Sequence, residues 1–211
     1  MTKSETLLQL RQQKIVVVVR GNSEEEAFQA SKACIEGGIT AIEVAYTNNK
    51  ASQVIERLNA YYANQPTILI GAGTVLDSET ARAAIFAGAK FIVSPAFNVE
   101  TATMCNRYTI PYLPGCMTIT EITTALEHGC EIVKLFPGGT LGKNFLTSIK
   151  APLPQVEIMV TGGINLNSAN DWLTAGATAI GIGGDFNQLA AQGNFEEITK
   201  KAKAYREQIQ L

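Results

Sequence analysis

Residues 156–184 read VEIMVTGGINLNSANDWLTAGATAIGIGG, and this stretch holds one repeat of the pattern that decides the fold. Two short apolar runs begin at Val156 and Thr178, and a segment with helical periodicity lies between them and ends at Gly176. A glycine at that place supplies the left-handed conformation that ends a helix. The runs are apolar at nearly every position, as in parallel strands that are buried on both faces. The stretch therefore predicts a strand–helix–strand unit of a parallel sheet.

Apolar runs of this kind recur along the whole chain at intervals of 20 to 26 residues. Such intervals are too long for hairpins and fit strands that are joined by helices. Ser23 with Glu26, and Thr118 with Glu121, have the spacing of a capping box at the start of two intervening helices. Eight such units predict a closed (β/α)8 TIM barrel. The eight runs begin at Ile15, Ala41, Thr67, Lys90, Ile110, Glu131, Val156 and Thr178.

No Pro- or Ser-rich linker divides the chain, so we expect a single domain over residues 1–211. The pattern also predicts an extra N-terminal helix at 3–13 and a final helix at 195–209. The main competing fold, a doubly wound open sheet, needs a glycine-rich turn directly after its first strand. Residues 18–26 read VVRGNSEEE, in which three glutamates follow a single glycine. This favours the barrel.

Composition excludes several classes of function. The 211 residues carry a formal charge of −2, which argues against a nucleic-acid partner. No apolar run approaches the roughly 18 residues of a membrane span. The N-terminal stretch MTKSETLLQLRQQK lacks the continuous apolar core of a signal peptide. We therefore expect a soluble cytoplasmic protein with a small-molecule partner and neither a nucleic-acid nor a membrane partner.

The cysteines and the single histidine argue against a metal site. Cys34, Cys105, Cys116 and Cys130 show no CxxC spacing, and His128 has no second histidine to accompany it. In a cytoplasmic chain the cysteines are expected to be small buried hydrophobic residues without disulfides. His128 is expected to cap the C-terminus of a helix, where a partial positive charge is favoured.

Two ionisable residues stand inside apolar strand sequences, Lys134 in IVKLFP (132–137) and Glu43 in AIEVAY (41–46). Burial disfavours the charged form of each group, which makes the lysine a nucleophile toward carbonyl carbon and the carboxyl a proton carrier near neutral pH. An ion-paired lysine on the outer barrel face is one alternative. A purely structural role for Glu43, as the partner of Lys134 or Arg20, is another.

Two glycine-rich stretches follow the last two predicted strands, TGGI at 161–164 and GIGG at 181–184. Barrel enzymes often bind phosphate at these loops through backbone N–H groups and a helix N-terminus. Together the two stretches predict a phosphate site.

The motifs, in their order and spacing, resemble those of the 2-keto-3-deoxy-6-phosphogluconate (KDPG) and 4-hydroxy-2-oxoglutarate (KHG) aldolases over essentially the whole chain. The resemblance implies a class I aldolase on a (β/α)8 barrel that needs neither metal nor cofactor, usually a homotrimer. It implies cleavage of KDPG to pyruvate and glyceraldehyde 3-phosphate, and also of KHG to pyruvate and glyoxylate. The motifs are GAGTVL (71–76), VSP (93–95), PYLPG (111–115), EIVKLFP (131–137) and TGGI (161–164).

The resemblance also implies roles for individual residues. Lys134 matches the Schiff-base lysine, and Glu43 matches the general acid/base. Thr74 matches a contact to the pyruvate carboxylate, and Pro95 and Phe136 match pocket-lining residues. The phosphate loops correspond to Thr161, Gly162, Gly163, Gly183 and Gly184.

Two positions depart from the family pattern. Thr47 stands where an arginine commonly binds the substrate carboxylate, and Arg20 is the expected substitute. Asp185 stands where a serine commonly follows the second glycine pair. We expect its carboxylate to cap the following helix rather than face the phosphate.

Two other functions fit a barrel with phosphate-binding loops. One is an isomerase or epimerase that uses Glu43 for proton transfer without a covalent step, and the other is a non-catalytic sugar-phosphate binding module. Neither needs a buried nucleophilic amine, so Lys134 favours the aldolase.

Overall fold

The computed structural model describes residues 1–209, so the expected domain boundary at 211 lies outside the described part. Within these residues the strands are β1 (Ile15–Val19), β2 (Ala41–Ala45), β3 (Leu69–Gly73), β4 (Ile92–Val93), β5 (Tyr112–Leu113), β6 (Gly115–Cys116), β7 (Ile132–Leu135), β8 (Glu157–Thr161) and β9 (Ala179–Ile182). The helices in the same range are α1 (Lys3–Gln13), α2 (Glu24–Glu36), α3 (Ala51–Tyr61), α4 (Ser78–Phe86), α5 (Val99–Arg107), α6 (Ile119–Glu127), α7 (Gly138–Leu141), α8 (Lys143–Lys150), α9 (Leu166–Thr174), α10 (Gly184–Ala191) and α11 (Phe195–Ile209).

The strands form one parallel sheet in the order β5-β4-β3-β2-β1-β9-β8-β7-β6. The two end strands, β5 and β6, are halves of one segment that flank Pro114, so the sheet curls into a nearly closed barrel. The predicted barrel, its N-terminal helix and its final helix are confirmed. The fifth of the eight expected strands is split because proline has no N–H to give to the ladder, although the Pro114 carbonyl still accepts from the Lys134 N–H at 2.8 Å.

An apolar layer fills the barrel interior near the N-terminal ends of the strands. Leu7 and Leu10 of α1 pack into this layer, so α1 covers that end of the barrel. The C-terminal ends of the strands are left as the open end. The strand and loop residues of the layer are Val16, Ala41, Leu69, Phe91, Val93, Leu113, Ile132, Met159 and Ala179.

The predicted helix-end signals are only partly confirmed. Thr118 and Glu121 form a complete capping box at α6. At α2, Ser23 accepts from the Glu26 N–H, but the Glu26 carboxylate accepts from the Asn22 side chain instead of the Ser23 backbone. The predicted hydrogen bond from the Ser23 backbone N–H to the Glu26 carboxylate is therefore wrong.

The remaining structural expectations concern the histidine and the cysteines. His128 is the C-cap of α6, as predicted, with Nδ1 2.8 Å from the Thr124 carbonyl oxygen. The four cysteines are buried and free, as predicted. Among residues 1–209, no helix has the length and apolar character needed to cross a bilayer.

Candidate active site

A polar layer lies directly above the apolar layer of the barrel interior. Side chains alternate between the two faces of a strand, so every second residue points inward. Glu43, Lys134 and Thr161 each lie two residues beyond an apolar member of the interior layer, on β2, β7 and β8. Strand periodicity therefore carries these three polar groups into the barrel, near the open end.

Lys134 and Glu43 face each other inside the barrel. The distance from Lys134 Nζ to Glu43 Oε1 is 4.0 Å, and Nζ lies 5.2 Å from the centroid of the Phe136 ring. Glu43 is 0% exposed and Lys134 is 7% exposed. The alternative of a lysine on the outer barrel face is therefore wrong. One substrate atom or one water molecule can bridge the two groups.

The space for the Glu43 side chain comes from a glycine on the neighbouring strand. A Cβ placed on Gly73 of β3 would overlap the Glu43 carboxyl group. Among the described residues, neither Glu43 carboxyl oxygen has a hydrogen-bond partner. A buried polar group in that condition is costly unless a ligand uses it, which points to a proton-transfer role.

Burial raises the pKa of the Glu43 carboxyl, because desolvation disfavours its charged form. The positive charges of Lys134 and Arg20 act in the opposite direction and are the smaller effects. A raised carboxyl pKa lets Glu43 both donate and accept a proton closer to neutral pH. The direction predicted from the sequence is confirmed.

A cavity of about 570 Å³ opens above this pair at the C-terminal ends of the strands. Ten of the other predicted site residues line it together with Lys134 and Glu43, namely Arg20, Thr74, Pro95, Phe136, Thr161, Gly162, Gly163, Gly183, Gly184 and Asp185. Six further residues line the cavity. Ile164, Gly181 and Ile182 belong to the two glycine-rich stretches, whereas Val18, Asn165 and Asn187 were not predicted.

Thr47 does not line the cavity. It lies exposed in the turn after β2, two residues beyond the end of that strand at Ala45. In the family pattern this position holds the carboxylate-binding arginine, and here it lies outside the cavity wall. Arg20 lies exposed at the cavity rim just after β1, and no ion-pair partner for its guanidinium occurs within residues 1–209.

Asp185 takes a different role from the one that the sequence suggested. The N-cap of α10 is Gly183, and no side chain caps this helix. Asp185 lies in the first turn, where its Oδ2 accepts from Lys201 Nζ of α11 at 2.6 Å. The predicted capping role is wrong because the chain enters the helix two residues earlier. The ion pair leaves the carboxylate at the cavity wall and partly neutralises it.

Two threonines on the cavity wall have unusual features. Thr74 has φ of 53°, a left-handed conformation that is uncommon for a residue with a Cβ and marks a constrained site. The Thr161 side-chain oxygen is buried and has no hydrogen-bond partner among the described residues. Both threonines line the cavity.

Asn187 is a residue of this site that sequence reasoning missed. Its side chain bonds to backbone atoms of Val18, Arg20 and Gly183. No local motif marks it, because two of these partners lie more than 160 residues away along the chain. In the described part of the chain there is also no group of three or more His, Cys, Asp or Glu side chains that could hold a metal ion.

Comparisons with known proteins agree with this geometry. The family model of the KDPG and KHG aldolases matches residues 7–201. A 2-dehydro-3-deoxy-phosphogluconate aldolase of Treponema pallidum (strain Nichols) is 36% identical over 194 residues, which cover 90% of each chain. A 2-dehydro-3-deoxy-6-phosphogalactonate aldolase of Escherichia coli (strain K12) is 31% identical, over 93% of this chain and 96% of the relative.

A solved structure gives a similar result. The KDPG aldolase of Legionella pneumophila, with pyruvate captured as a covalent carbinolamine intermediate, matches with a TM-score of 0.84 and 27% identity. The match covers 91% of this chain and 93% of the other.

Proposed function

This chain belongs to the KDPG and KHG aldolase family, and we propose that it is a class I aldolase that cleaves KDPG to pyruvate and glyceraldehyde 3-phosphate. KHG, which would give pyruvate and glyoxylate, is the second substrate that we propose for the same site. The observation that carries the proposal is the buried Lys134 amine, 4.0 Å from the Glu43 carboxyl group at the open end of the barrel.

The reaction begins with attack of the Lys134 amine on the C2 carbonyl carbon of the substrate. A C–N bond forms, the nitrogen loses a proton and the carbonyl oxygen takes one up, which gives a carbinolamine. Glu43 then delivers a further proton to that hydroxyl group, which leaves as water, so a protonated imine remains. The raised pKa of Glu43 suits this step because the carboxyl group has to hold a proton before it gives it up.

Carbon–carbon cleavage follows from the protonated imine. The Glu43 carboxylate accepts the proton of the C4 hydroxyl group, directly or through one water molecule, and the C3–C4 bond breaks. The bond's electron pair moves to the iminium nitrogen and leaves an enamine, while C4 departs as the aldehyde. Protonation at C3 and addition of water then release pyruvate and restore the Lys134 amine. These steps draw on two side chains and water, with no metal or cofactor.

The two ends of the substrate require different partners. We place the pyruvate carboxylate near Thr74, with Arg20 as the only arginine on the cavity wall that could pair with it. Pro95 and Phe136 line the reacting centre. We place the distal phosphate on the two glycine-rich loops, whose backbone N–H groups suit an anion. The residues of these loops are Thr161, Gly162, Gly163, Gly183 and Gly184.

Borohydride trapping with pyruvate tests the proposal. Reduction should add the mass of one reduced pyruvyl group to the peptide that contains Lys134, and Lys134→Met should abolish both the label and the aldol cleavage. The neighbouring Lys143→Met variant, on α8, is the matched control and should label normally. Labelling of a different lysine, or no label, would contradict the proposal. An isomerase or a binding module would give no adduct.

The remaining expectations are proposals about the whole protein. We propose that residues 1–211 act as one aldolase domain in the cytoplasm, which the free, buried cysteines support. We also propose a homotrimer, whose mass in sedimentation equilibrium should be three times that of the chain. Large apolar side chains support it, since they are exposed on consecutive units along one side of the barrel. They are Leu76, Phe86, Val99, Met117 and Ile119.

A further inference from the structure

The hydrogen-bonded ladder between β1 and β9 lacks the last pair of residues that its register would bring together. Ile15 pairs with Ile180 and Val17 pairs with Ile182 in this parallel ladder. By the same two-residue step, the next pair would be Val19 with Gly184. Gly184 is instead the first residue of α10, so its peptide groups leave the sheet at this point.

The side chain of Asn187 occupies the vacated position in the ladder. In a parallel pair, a residue donates its N–H to the carbonyl that precedes its partner, as the Ile180 N–H does to the Lys14 carbonyl at 2.8 Å. Opposite Val19, such a residue would donate to the Val18 carbonyl and accept from the Arg20 N–H. Asn187 makes both bonds, Nδ2 to the Val18 oxygen at 2.8 Å and the Arg20 N–H to Oδ1 at 2.8 Å.

We propose that Asn187 is a positioning residue that replaces Gly184 in the barrel ladder. The inference rests on the proposed function, because it concerns the anionic end of the substrate. Since the Asn187 amide satisfies the Val18 carbonyl, the backbone at Gly184 turns into α10 and its N–H groups are free for a ligand. The first N–H groups of a helix have no intrahelical partner, and among the described residues no side chain caps α10.

The same amide fixes both sides of the cavity entrance. Through its third bond, Nδ2 to the Gly183 carbonyl at 2.6 Å, Asn187 holds the loop that precedes α10. Through Oδ1 it holds the backbone of Arg20, whose side chain stands at the cavity rim. One half-buried amide thus sets the distance between the Arg20 backbone and the start of α10. Such preorganisation lowers the entropy lost when an anion binds.

The test compares Asn187→Leu with Gln188→Leu, a matched change of the exposed neighbour on the same helix. In Asn187→Leu, the KM for KDPG and the inhibition constant for inorganic phosphate should each rise tenfold or more. Its kcat should stay within threefold, because Lys134 lies on a different strand. The pyruvate concentration that half-saturates borohydride trapping should rise less than the phosphate inhibition constant, because Asn187 bonds to the Arg20 backbone and not to the guanidinium that we place near the pyruvate carboxylate. Gln188→Leu should change none of these values.

Two outcomes would overturn the role of Asn187. One is an unchanged KM and phosphate inhibition constant in Asn187→Leu, and the other is an equal loss for pyruvate and phosphate, which a general folding defect would cause. If Asn187→Leu does not fold, Asn187→Ser makes the same test, since a hydroxyl group is too short to span both backbone atoms.

A separate measurement distinguishes failure of this inference from failure of the proposed function. Hydrogen exchange of the Arg20 amide should be at least tenfold faster in Asn187→Leu than in the wild-type protein, with or without ligand. Unchanged exchange overturns the ladder replacement. Faster exchange in a protein that shows no phosphate inhibition overturns the proposed phosphate site and leaves the ladder replacement standing.

Discussion

The chemistry of the site depends at the residue scale on a carboxyl group that the fold keeps out of water. Glu43 is buried, lacks a hydrogen-bond partner among the described residues and lies 4.0 Å from the lysine amine. A group of this kind destabilises the folded protein when it is charged, unless a partner compensates. In the proposed mechanism, catalysis uses this unfavourable state, because a carboxyl group with a raised pKa exchanges protons with a bound substrate closer to neutral pH.

Replacing Glu43 with glutamine removes the exchangeable proton and keeps the side-chain shape. Turnover should fall by roughly 10²–10⁴, the usual contribution of a positioned acid or base, and borohydride trapping at Lys134 should slow as well, because Glu43 delivers the proton that expels water from the carbinolamine. Steady-state kinetics with KDPG and borohydride trapping measure the two effects. A variant with near wild-type kcat would show that Glu43 is purely structural.

The same variant should reveal the raised pKa of Glu43 in the protein's stability. Below the ordinary value of 4.5 the carboxyl group is protonated in the folded and the unfolded chain, so burial brings no charge penalty there. As pH rises through the higher folded pKa, only the wild-type protein loses stability. The difference in unfolding midpoint between Glu43→Gln and the wild-type protein should therefore shift in favour of the variant as the pH rises above 4.5. A difference that stays constant or shrinks over this range would contradict the direction of the pKa shift.

At the scale of elements, glycines in the strands determine which side chains fit inside the barrel. The β2–β3 register places Gly71 beside Glu43 and Gly73 beside Ala45. The absence of a side chain at Gly73 leaves room for the Glu43 carboxyl group, which a Cβ would overlap. The motif GAGTV thus belongs to the catalytic site for a packing reason as well as for its threonine.

Gly73→Ala should destabilise the protein by about 1–3 kcal/mol, the usual effect of overpacking, and should lower turnover by displacing Glu43. If the overlap with Glu43 is the cause, Gly73→Ala should lower the free energy of unfolding much less in a Glu43→Ala background. Urea unfolding of the two single variants and the double variant measures this coupling. Additive losses would show that the methyl group meets some other part of the barrel.

The sequence predicted the elements well where local signals specify them. Helices α1 and α11 have their predicted bounds, and the eight apolar runs all hold strands, because doubly buried parallel strands are apolar throughout. Pro114 interrupts the fifth strand because proline has no backbone N–H to donate to the sheet. Lys134 and Glu43 could be identified because a charged group inside an apolar strand needs an explanation.

The roles of other residues depended on partners that are distant in the chain. Asp185 was assigned a capping role from its neighbours alone, whereas its actual partner, Lys201, is on the following helix. Asn187 bonds to the end of the first strand. Thr47 matches the position of the family's carboxylate-binding arginine, but the turn after β2 leaves it exposed. Such contacts follow from the closure of the barrel and not from local pattern.

At the scale of the whole molecule, the last helix reaches the active-site end of the barrel. Helix α11 packs against α2, α9 and α10, and its Lys201 pairs with Asp185 at 2.6 Å, although the Asp185 side chain is 52% exposed. An exposed pair of this kind adds little to stability. Its effect on the cavity is electrostatic, since without Lys201 the Asp185 carboxylate would face an incoming phosphate uncompensated.

Lys201→Met should therefore lower kcat/KM for KDPG by roughly three- to tenfold, equivalent to about 0.7–1.4 kcal/mol, while pyruvate trapping stays unchanged. Asp185→Ser in the same background should restore most of the loss, because it removes the carboxylate that Lys201 neutralises. Lys200→Met is the matched control, since Lys200 pairs only with Glu196 and Glu197 of its own helix within the described residues. The loss should also shrink as ionic strength rises, because salt screens charges at the cavity mouth. Equal losses in Lys200→Met and Lys201→Met, or no recovery in the double variant, would show that α11 supports the barrel without tuning its preference for phosphate.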